Sequence, residues 1–133
     1  MRYESVWWSV DLPAGWDAYA DAGCSTFKAN PEIGVLQISA ARKSGHLITE
    51  DELREYASER IGALVPLRSV AFGDFSGFIA TYQKETWRWQ ELWLRSGHLM
   101  VYATYVVDVN FKTAEDEVLR CILASLQARP VNV

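Results

Sequence analysis

The sequence predicts an α+β fold, in which an antiparallel sheet carries one helix from the middle of the chain and one from its C-terminal part. Segments of alternating apolar and polar residues, joined by short turn sequences, indicate antiparallel strands. Two other segments repeat apolar residues every three or four positions, which indicates amphipathic helices. The predicted order is β-β-β-β-α-β-β-β-β-α, within one domain that spans residues 1–133.

The first four predicted strands occupy residues 5–12, 16–19, 24–29 and 35–42. Val6, Trp8, Val10 and Leu12 alternate with polar residues, so we expect them to share one face of a half-buried strand. The turn sequences Pro-Ala-Gly at 13–15 and Asp-Ala-Gly at 21–23 separate the next strands.

A helix follows the fourth strand. Thr49 and Glu52 have the spacing of a capping box, in which each side chain accepts a hydrogen bond from the other residue's backbone N–H. Acidic residues in the first turn suit the helix dipole. The predicted helix ends at Pro66, and one apolar stripe contains Leu53, Tyr56, Ala57, Ile61 and Leu64.

Four more strands are predicted at residues 67–72, 78–83, 87–95 and 98–107, with no helix between them. The final helix is predicted over residues 113–128, where Thr113 and Asp116 resemble a second capping box and Pro130 follows the end. Its expected inward residues are Val118, Leu119, Ile122 and Leu126.

Residues 86–94 contain half of the six tryptophans in the chain. Trp87, Trp89 and Trp93 are separated by even numbers of residues, so a strand projects all three from one face. If Ser96-Gly97 forms the two-residue loop of a hairpin, the cross-strand pairs follow by counting. They are Trp93 with Met100, Glu91 with Tyr102, Trp89 with Thr104, and Trp87 with Val106.

The two faces of this hairpin differ in composition. Leu92, Leu94, Leu99 and Val101 form an aliphatic side that is typical of a core, whereas the tryptophans share their side with charged residues. Interfaces often combine Trp, Tyr, Met and Arg. The expected partner-binding residues are therefore Trp87, Trp89, Glu91, Trp93, Met100 and Tyr102. The alternative is that a helix of the same chain covers at least two of the tryptophans.

Composition excludes several classes of function. The net charge of −4 and the lack of a basic stripe argue against nucleic acid binding. No apolar segment approaches the ~20 residues that span a bilayer, so no stable membrane insertion is expected. The N-terminal residues do not resemble a signal peptide, which predicts a cytoplasmic protein. Cys24 and Cys121 lie in no Cys-x-x-Cys motif and are expected to be free thiols, with Cys121 packed as a small hydrophobe.

The sequence carries no recognisable catalytic motif, and we expect neither an enzyme nor a metal or cofactor site. His46 and His98 lack companion residues at metal-ligand spacing. The acidic residues near position 51 suit the solvated first turn of a helix better than an acid–base site. A Cys24–His98 nucleophile and base remains a third hypothesis, that of a hydrolase.

The N-terminal Val10-Asp11-Leu12-Pro13-Ala14-Gly15-Trp16 resembles the opening motif of PsbP-like and DcrB-like (Mog-type) domains, and residues 118–126 resemble their closing helix. The resemblance implies an α+β accessory module without a catalytic set. Members of this family assist photosystem assembly, bind the nuclear transport GTPase Ran, or act as chaperones for secreted bacterial effectors.

The expected function is therefore that of a cytoplasmic bacterial protein-binding module of the effector-chaperone or immunity-protein kind. Its partner would be an effector or toxin-like protein, and a homodimer is a further option. The alternative is a small-ligand-binding domain, with a tryptophan-lined pocket between the sheet and a helix.

Overall fold

A computed structural model describes residues 1–130 of the chain. The strands are β1 Arg2–Glu4, β2 Trp8–Asp11, β3 Trp16–Asp21, β4 Cys24–Ala29, β5 Gly34–Arg42, β6 Arg68–Phe72, β7 Phe75–Lys84, β8 Trp87–Ser96, β9 Leu99–Asp108 and β10 Gln127–Ala128. The helices are α1 Glu50–Ile61 and α2 Asp116–Ala124, and a 3-10 turn covers Val109–Phe111.

Seven strands form one antiparallel sheet in the order β3-β4-β5-β9-β8-β7-β6. A small second sheet has the order β1-β2-β10. Helix α2 and strand β2 pack on one face of the large sheet, and the resulting core is mainly aliphatic. Helix α1 packs on the opposite face, against β7 and β8. The large sheet is therefore the middle of three layers.

The α+β fold class and the predicted order of the main strands and helices are confirmed. The two additional strands, β1 and β10, contain three and two residues. Such short segments carry no periodicity from which a strand could be predicted. Both pair with β2, so only the folded chain brings their backbone groups together.

The predicted hairpin register is wrong by two residues. The loop consists of Gly97-His98, and Ser96 pairs with Leu99. Gly97 has a φ of +61°, and a glycine with positive φ at the first loop position suits a tight hairpin turn. Because the shift is an even number, every side chain keeps its predicted face.

The start of α1 is confirmed, but its predicted end is wrong. The Thr49–Glu52 capping box is present. The helix stops at Ile61, because Gly62 adopts a φ of +75° and its N–H donates to the carbonyl of Ser58 at 2.8 Å. Leu64 lies beyond this cap and is 99% exposed, so it is not part of the apolar stripe.

Helix α2 is shorter than predicted at both ends. It begins at Asp116, its N-cap is Glu115, and no capping box forms with Thr113. It ends at Ala124, and Leu126 is buried in the connection to β10 rather than on the helix. The two cysteines are free, as expected, but Cys121 is exposed and not packed in the core.

Candidate functional site

The structure places all six expected partner-binding residues on one face of the large sheet, the face that α1 partly covers. On β8 these are Trp87, Trp89, Glu91 and Trp93, and Trp93 pairs with Tyr102 of β9. Met100 pairs with Arg95 instead of Trp93, because of the changed register. The six residues follow one another along β8 and β9, from the part of the face that α1 covers to the part that it leaves open.

Helix α1 buries part of this face. Trp93 is 2% exposed and packs with Leu53 and Ala57 of the helix, and Glu91 is completely buried. Met100 and Tyr102 are half-buried at the margin of the same cluster. The expectation that Glu91 and Trp93 lie on a contact surface is therefore wrong, because α1 covers both.

The part of the face beyond α1 is open. One row of neighbouring residues crosses four strands, from Tyr82 to Trp89, then Val106, then Val35, and each is only half-buried. Tyr82 and Trp89 stack with their ring centroids 6.2 Å apart and their planes 6° from parallel. In the next row Trp87 is 44% exposed. We call these residues the open aromatic face: Val35, Tyr82, Trp87, Trp89 and Val106.

A buried carboxylate marks the border between the covered and open parts. The hydroxyls of Tyr82 and Tyr102 donate to the two oxygens of Glu91, at 2.5 Å and 2.9 Å. The Nε of Arg60, in the last turn of α1, lies 3.5 Å from Oε2 of Glu91 and also donates to the hydroxyl oxygen of Tyr102 at 3.3 Å. A buried charge needs such partners, and here they also attach the end of α1 to the sheet.

The electrostatics keep both tyrosines protonated. Burial, followed by the hydrogen bond to Glu91, raises the pKa of Tyr82 far above its usual range. Burial also raises the pKa of Tyr102, while Arg60 opposes that shift. Both hydroxyls therefore remain hydrogen-bond donors at neutral pH, and the network holds a structural charge.

A pocket of about 320 Å³ lies beside this border. Tyr82 and Trp89 form its aromatic wall, and Arg60 and Lys84 bring two positive charges to it. The remaining lining is apolar. Such a combination can hold an apolar or aromatic group together with an anionic one.

The structure does not bring together the residues of the hydrolase hypothesis. Cys24 is half-buried on β4, whereas His98 lies in the loop between β8 and β9 with its Nδ1 2.7 Å from the carbonyl oxygen of His46. Strand β5 separates β4 from β9. Within residues 1–130, no group of three or more His, Cys, Asp or Glu side chains lies close enough to hold a metal ion.

Sequence reasoning missed a cleft of about 530 Å³ between the small sheet and one end of the large one. Tyr3, Trp7, Cys24 and Arg129 are among its lining residues. One feature of the sequence could have indicated this cleft, because Trp7 lies on the otherwise polar side of the alternating segment 5–12. The contribution of Tyr3 depends on β1, which was not predicted.

Comparison with known proteins identifies the fold. No family model and no curated protein matches the sequence. Among solved structures, a protein from Bacteroides thetaiotaomicron VPI-5482 is similar over 97% of this chain, with a TM-score of 0.71 and 19% identity. This chain covers 48% of that protein, which is about half of its length.

Two further structures are similar over nearly the whole chain. LpqN of Mycobacterium tuberculosis, described as involved in cell envelope biogenesis, matches 92% of this chain and 83% of its own, with a TM-score of 0.58 and 12% identity. The cyanobacterial PsbP (CyanoP) of Synechocystis sp. PCC 6803 matches 97% of this chain and 92% of its own, with a TM-score of 0.51 and 9% identity. The predicted PsbP-like fold is thus confirmed.

The described part of the chain contains no helix with the length and apolar character of a membrane-spanning segment. The tertiary structure and the comparisons together define a PsbP-like α+β fold whose aromatic sheet face is half covered.

Proposed function

We propose that this chain, which has the fold of the PsbP-like proteins, is a non-catalytic accessory module that binds another protein through its open aromatic face. Within this proposal the module belongs to the effector-chaperone or immunity-protein kind and acts in the bacterial cytoplasm. The partner is an effector or toxin-like protein.

The observation that carries the proposal is the aromatic row that α1 leaves uncovered. A sheet face that combines Trp87, Trp89 and Tyr82 with two valines resembles the composition of an interface core. Trp87 is 44% exposed, so it can bury much more surface when a partner docks. Large aromatic side chains of this kind often account for much of the binding energy of an interface.

The charges beside the open aromatic face indicate the chemistry of the partner surface. Lys84 is exposed in the row of Trp87, and the side chain of Arg60 is about half exposed at the nearby pocket. A partner that places an acidic side chain near these two cations would match them in charge. Because Asp108 lies directly opposite Trp87 in the same row, we expect an apolar contact patch with an acidic group only on the side that faces Lys84 and Arg60.

The test is a capture experiment with one surface variant. Trp87→Ser should weaken partner capture at least about tenfold, because an exposed interface tryptophan can contribute about 2 kcal/mol or more. The partner is first identified by mass spectrometry from the native cell, then purified, and its affinity is measured by calorimetry.

The matched control is Leu47→Ser, which removes an exposed apolar side chain from the loop before α1. This variant should bind the partner like the unmodified protein. Equal affinity for Trp87→Ser and the control would contradict the proposal. If the captured protein is a second copy of this chain, the mass of the complex in solution identifies a homodimer instead.

A small-ligand-binding function is the second candidate, and the pocket beside Trp89 favours it. Its wall of Trp89 and Tyr82 with the cations of Arg60 and Lys84 would suit an aromatic or apolar anion. Such a ligand should shift the tryptophan fluorescence of the unmodified protein, and Lys84→Met should weaken its binding. A ligand library that leaves the fluorescence unchanged would count against this candidate.

A further inference from the structure

Strand β7 extends beyond its neighbour β6 at one edge of the large sheet. The two strands form a hairpin whose first pair is Phe72 with Phe75 and whose last pair is Arg68 with Ile79. The rest of β7, residues 80–84, pairs with β8 on its other side and has no strand partner at the edge. The edge of the sheet therefore has a gap in line with β6.

The backbone groups of Thr81 and Gln83 are directed toward this gap. A two-residue loop joins β7 to β8, so Lys84 and Trp87 form a hydrogen-bonded pair. Such pairs alternate along an antiparallel ladder, so the N–H and C=O groups at 81 and 83 are directed away from β8. Both residues are exposed, and within residues 1–130 no backbone group outside the strands bonds to them. A further strand could therefore pair with them in exchange for water.

The segment before β6 does not close the gap. Pro66 would lie opposite Thr81 if the register of β6 continued, and proline has no N–H group to donate to a ladder. Val65 lies on the α1 face of the sheet, where it packs beside the buried cluster and lines the pocket of Tyr82. The edge beyond Pro66 is therefore available to a segment of another molecule.

The pocket beside Tyr82 lies on the α1 face next to this gap. Side chains directly opposite each other in an antiparallel pair are in contact, so a residue paired with Tyr82 would project on the same face. There it would meet Val65 on one side and the stacked rings of Tyr82 and Trp89 on the other. This position favours an apolar or aromatic side chain.

The next position on the same face is opposite Lys84. Arg60, the other cation of the pocket, already approaches the buried carboxylate of Glu91. Lys84 is exposed and has no carboxylate within ion-pair distance among residues 1–130. A residue opposite Lys84 would therefore be favoured by a negative charge.

We propose that β7 binds an extended segment of the partner protein as an additional antiparallel strand, in line with β6. The segment pairs its backbone with Thr81 and Gln83, and it places an apolar or aromatic residue opposite Tyr82 and an acidic residue opposite Lys84. In strand addition the backbone bonds supply affinity and alternate side chains supply specificity. The proposal rests on the proposed protein-binding function and specifies how the partner docks beside the open aromatic face.

The test uses a synthetic peptide with the core Thr-Glu-Thr-Phe-Thr, in which the acidic residue comes two positions before the aromatic one, as an antiparallel strand requires. In NMR titrations it should shift the backbone amide signals of Thr81 and Gln83 and slow their hydrogen exchange. A peptide with the core Thr-Lys-Thr-Phe-Thr should bind at least about threefold more weakly, because like charges oppose each other across strands. Lys84→Glu should invert this preference.

Two variants at position 83 separate backbone pairing from side-chain contact. Proline is tolerated on an edge strand where the N–H faces outward, so Gln83→Pro should fold and yet bind the first peptide at least about fivefold more weakly. Gln83→Ala retains the N–H and should bind like the unmodified protein. Ala71→Pro, at an exposed outward position of β6, should also bind normally if the gap is the site.

A modified peptide gives a test that does not depend on the folding of a variant. N-methylation of the central threonine removes the N–H that would donate to the carbonyl oxygen of Gln83. Binding to the unmodified protein should then weaken at least about fivefold. N-methylation of the phenylalanine is the control, since its N–H faces away from β7 and its loss should have no effect.

The proposal is overturned if the peptide leaves the signals of Thr81 and Gln83 unshifted, or if Gln83→Pro and the methylated peptide bind as well as their controls. A dimer of this chain that Gln83→Pro abolishes would assign the edge to a second copy, and would also overturn it. Failure of strand addition is distinguishable from failure of the proposed function. A captured partner that loses affinity for Trp87→Ser but not for Gln83→Pro would leave protein binding intact and exclude strand addition.

Discussion

At the scale of single residues, Glu91 joins the sheet to α1. Its carboxylate is completely buried and accepts hydrogen bonds from Tyr82 and Tyr102, while Arg60 approaches from the helix. Removing one member of such a network leaves the other groups buried without partners. Glu91, which the sequence suggested as a partner-binding residue, therefore stabilises the fold.

We predict that Glu91→Ala lowers the free energy of unfolding by about 3 kcal/mol, near the low end for breaking a buried charged pair, since Arg60 is partly exposed to solvent. Urea denaturation measures the change. The control is Glu55→Ala, at an exposed position of α1, which should change the free energy of unfolding by no more than about 0.5 kcal/mol. Equal stability of the two variants would contradict the structural role of Glu91.

A second prediction at the residue scale concerns acid stability. The hydrogen bond from Lys43 lowers the pKa of Glu52 from 4.5 to about 2, with further help from His46 and the backbone of Thr49. A lowered carboxyl pKa stabilises the fold above pH 4.5, and this contribution disappears as the pH falls toward 2.

The expected result is that Lys43→Met moves the NMR titration midpoint of the Glu52 carboxyl upward, toward pH 4.5. The acid unfolding transition should then begin at a higher pH. Lys112→Met removes a lysine from a distant loop and should leave the midpoint unchanged. A midpoint unaffected by the loss of Lys43 would refute this explanation of the shift.

At the scale of elements, the two helices differ in how well local sequence defines them. The start of α1 could be predicted because its capping box depends on two side chains three residues apart. Its end could not, since the pattern continues to Leu64 and only the φ of +75° at Gly62 stops it. For α2, the carboxylate of Glu115 binds Tyr105 and the backbone of Gly34, so the start depends on contacts distant in sequence.

The end of α1 gives a prediction with a matched pair of leucines. Leu53→Ala should lower the free energy of unfolding by about 2–5 kcal/mol, because this residue is completely buried against the sheet. Leu64→Ala should change it by no more than about 0.5 kcal/mol, because the side chain is 99% exposed. Chemical denaturation distinguishes the two, and similar losses would mean that the helix extends past Gly62.

The hairpin formed by β8 and β9 shows the same division between features set by local sequence and features set by distant contacts. Alternation, together with a two-residue loop, assigned the side chains of the predicted strand residues in β8 and β9 to the right face. The precise pairs could not be predicted, because a Ser-Gly loop and a Gly-His loop are both compatible with the glycine at 97. Whether α1 lies over Trp93 or over Trp87 is a matter of helix position, about which the hairpin sequence contains no information.

At the scale of the whole molecule, a buried cluster links three distant segments. The hydroxyl of Tyr105 in β9 and the backbone N–H of Gly34 in β5 both donate to Oε1 of Glu115, at 2.6 Å and 3.0 Å. A side chain at position 34 is disfavoured, since a Cβ there would overlap the hydroxyl group of Tyr105. The cluster connects the central strands to the segment that leads into α2.

We therefore predict that Gly34→Ala lowers the melting temperature by roughly 5–15 °C, as a displaced buried tyrosine with an unpaired carboxylate costs about 2–3 kcal/mol or more. Calorimetry measures the shift. Ser39→Ala, on the same strand and with one long hydrogen bond of 3.5 Å, should shift the melting temperature much less. A Gly34→Ala protein as stable as this control would show that Tyr105 moves without cost.

The sequence by itself determined the α+β class, the main strands, the start of α1 and the common side of the sheet on which Trp87, Trp89 and Trp93 lie. These features follow from periodicity and from contacts between residues close in the chain. Only the tertiary structure decided which tryptophans remain exposed, because α1 is placed by packing between segments far apart in sequence. It covers Glu91 and Trp93 and leaves Trp87 and Trp89 at the surface.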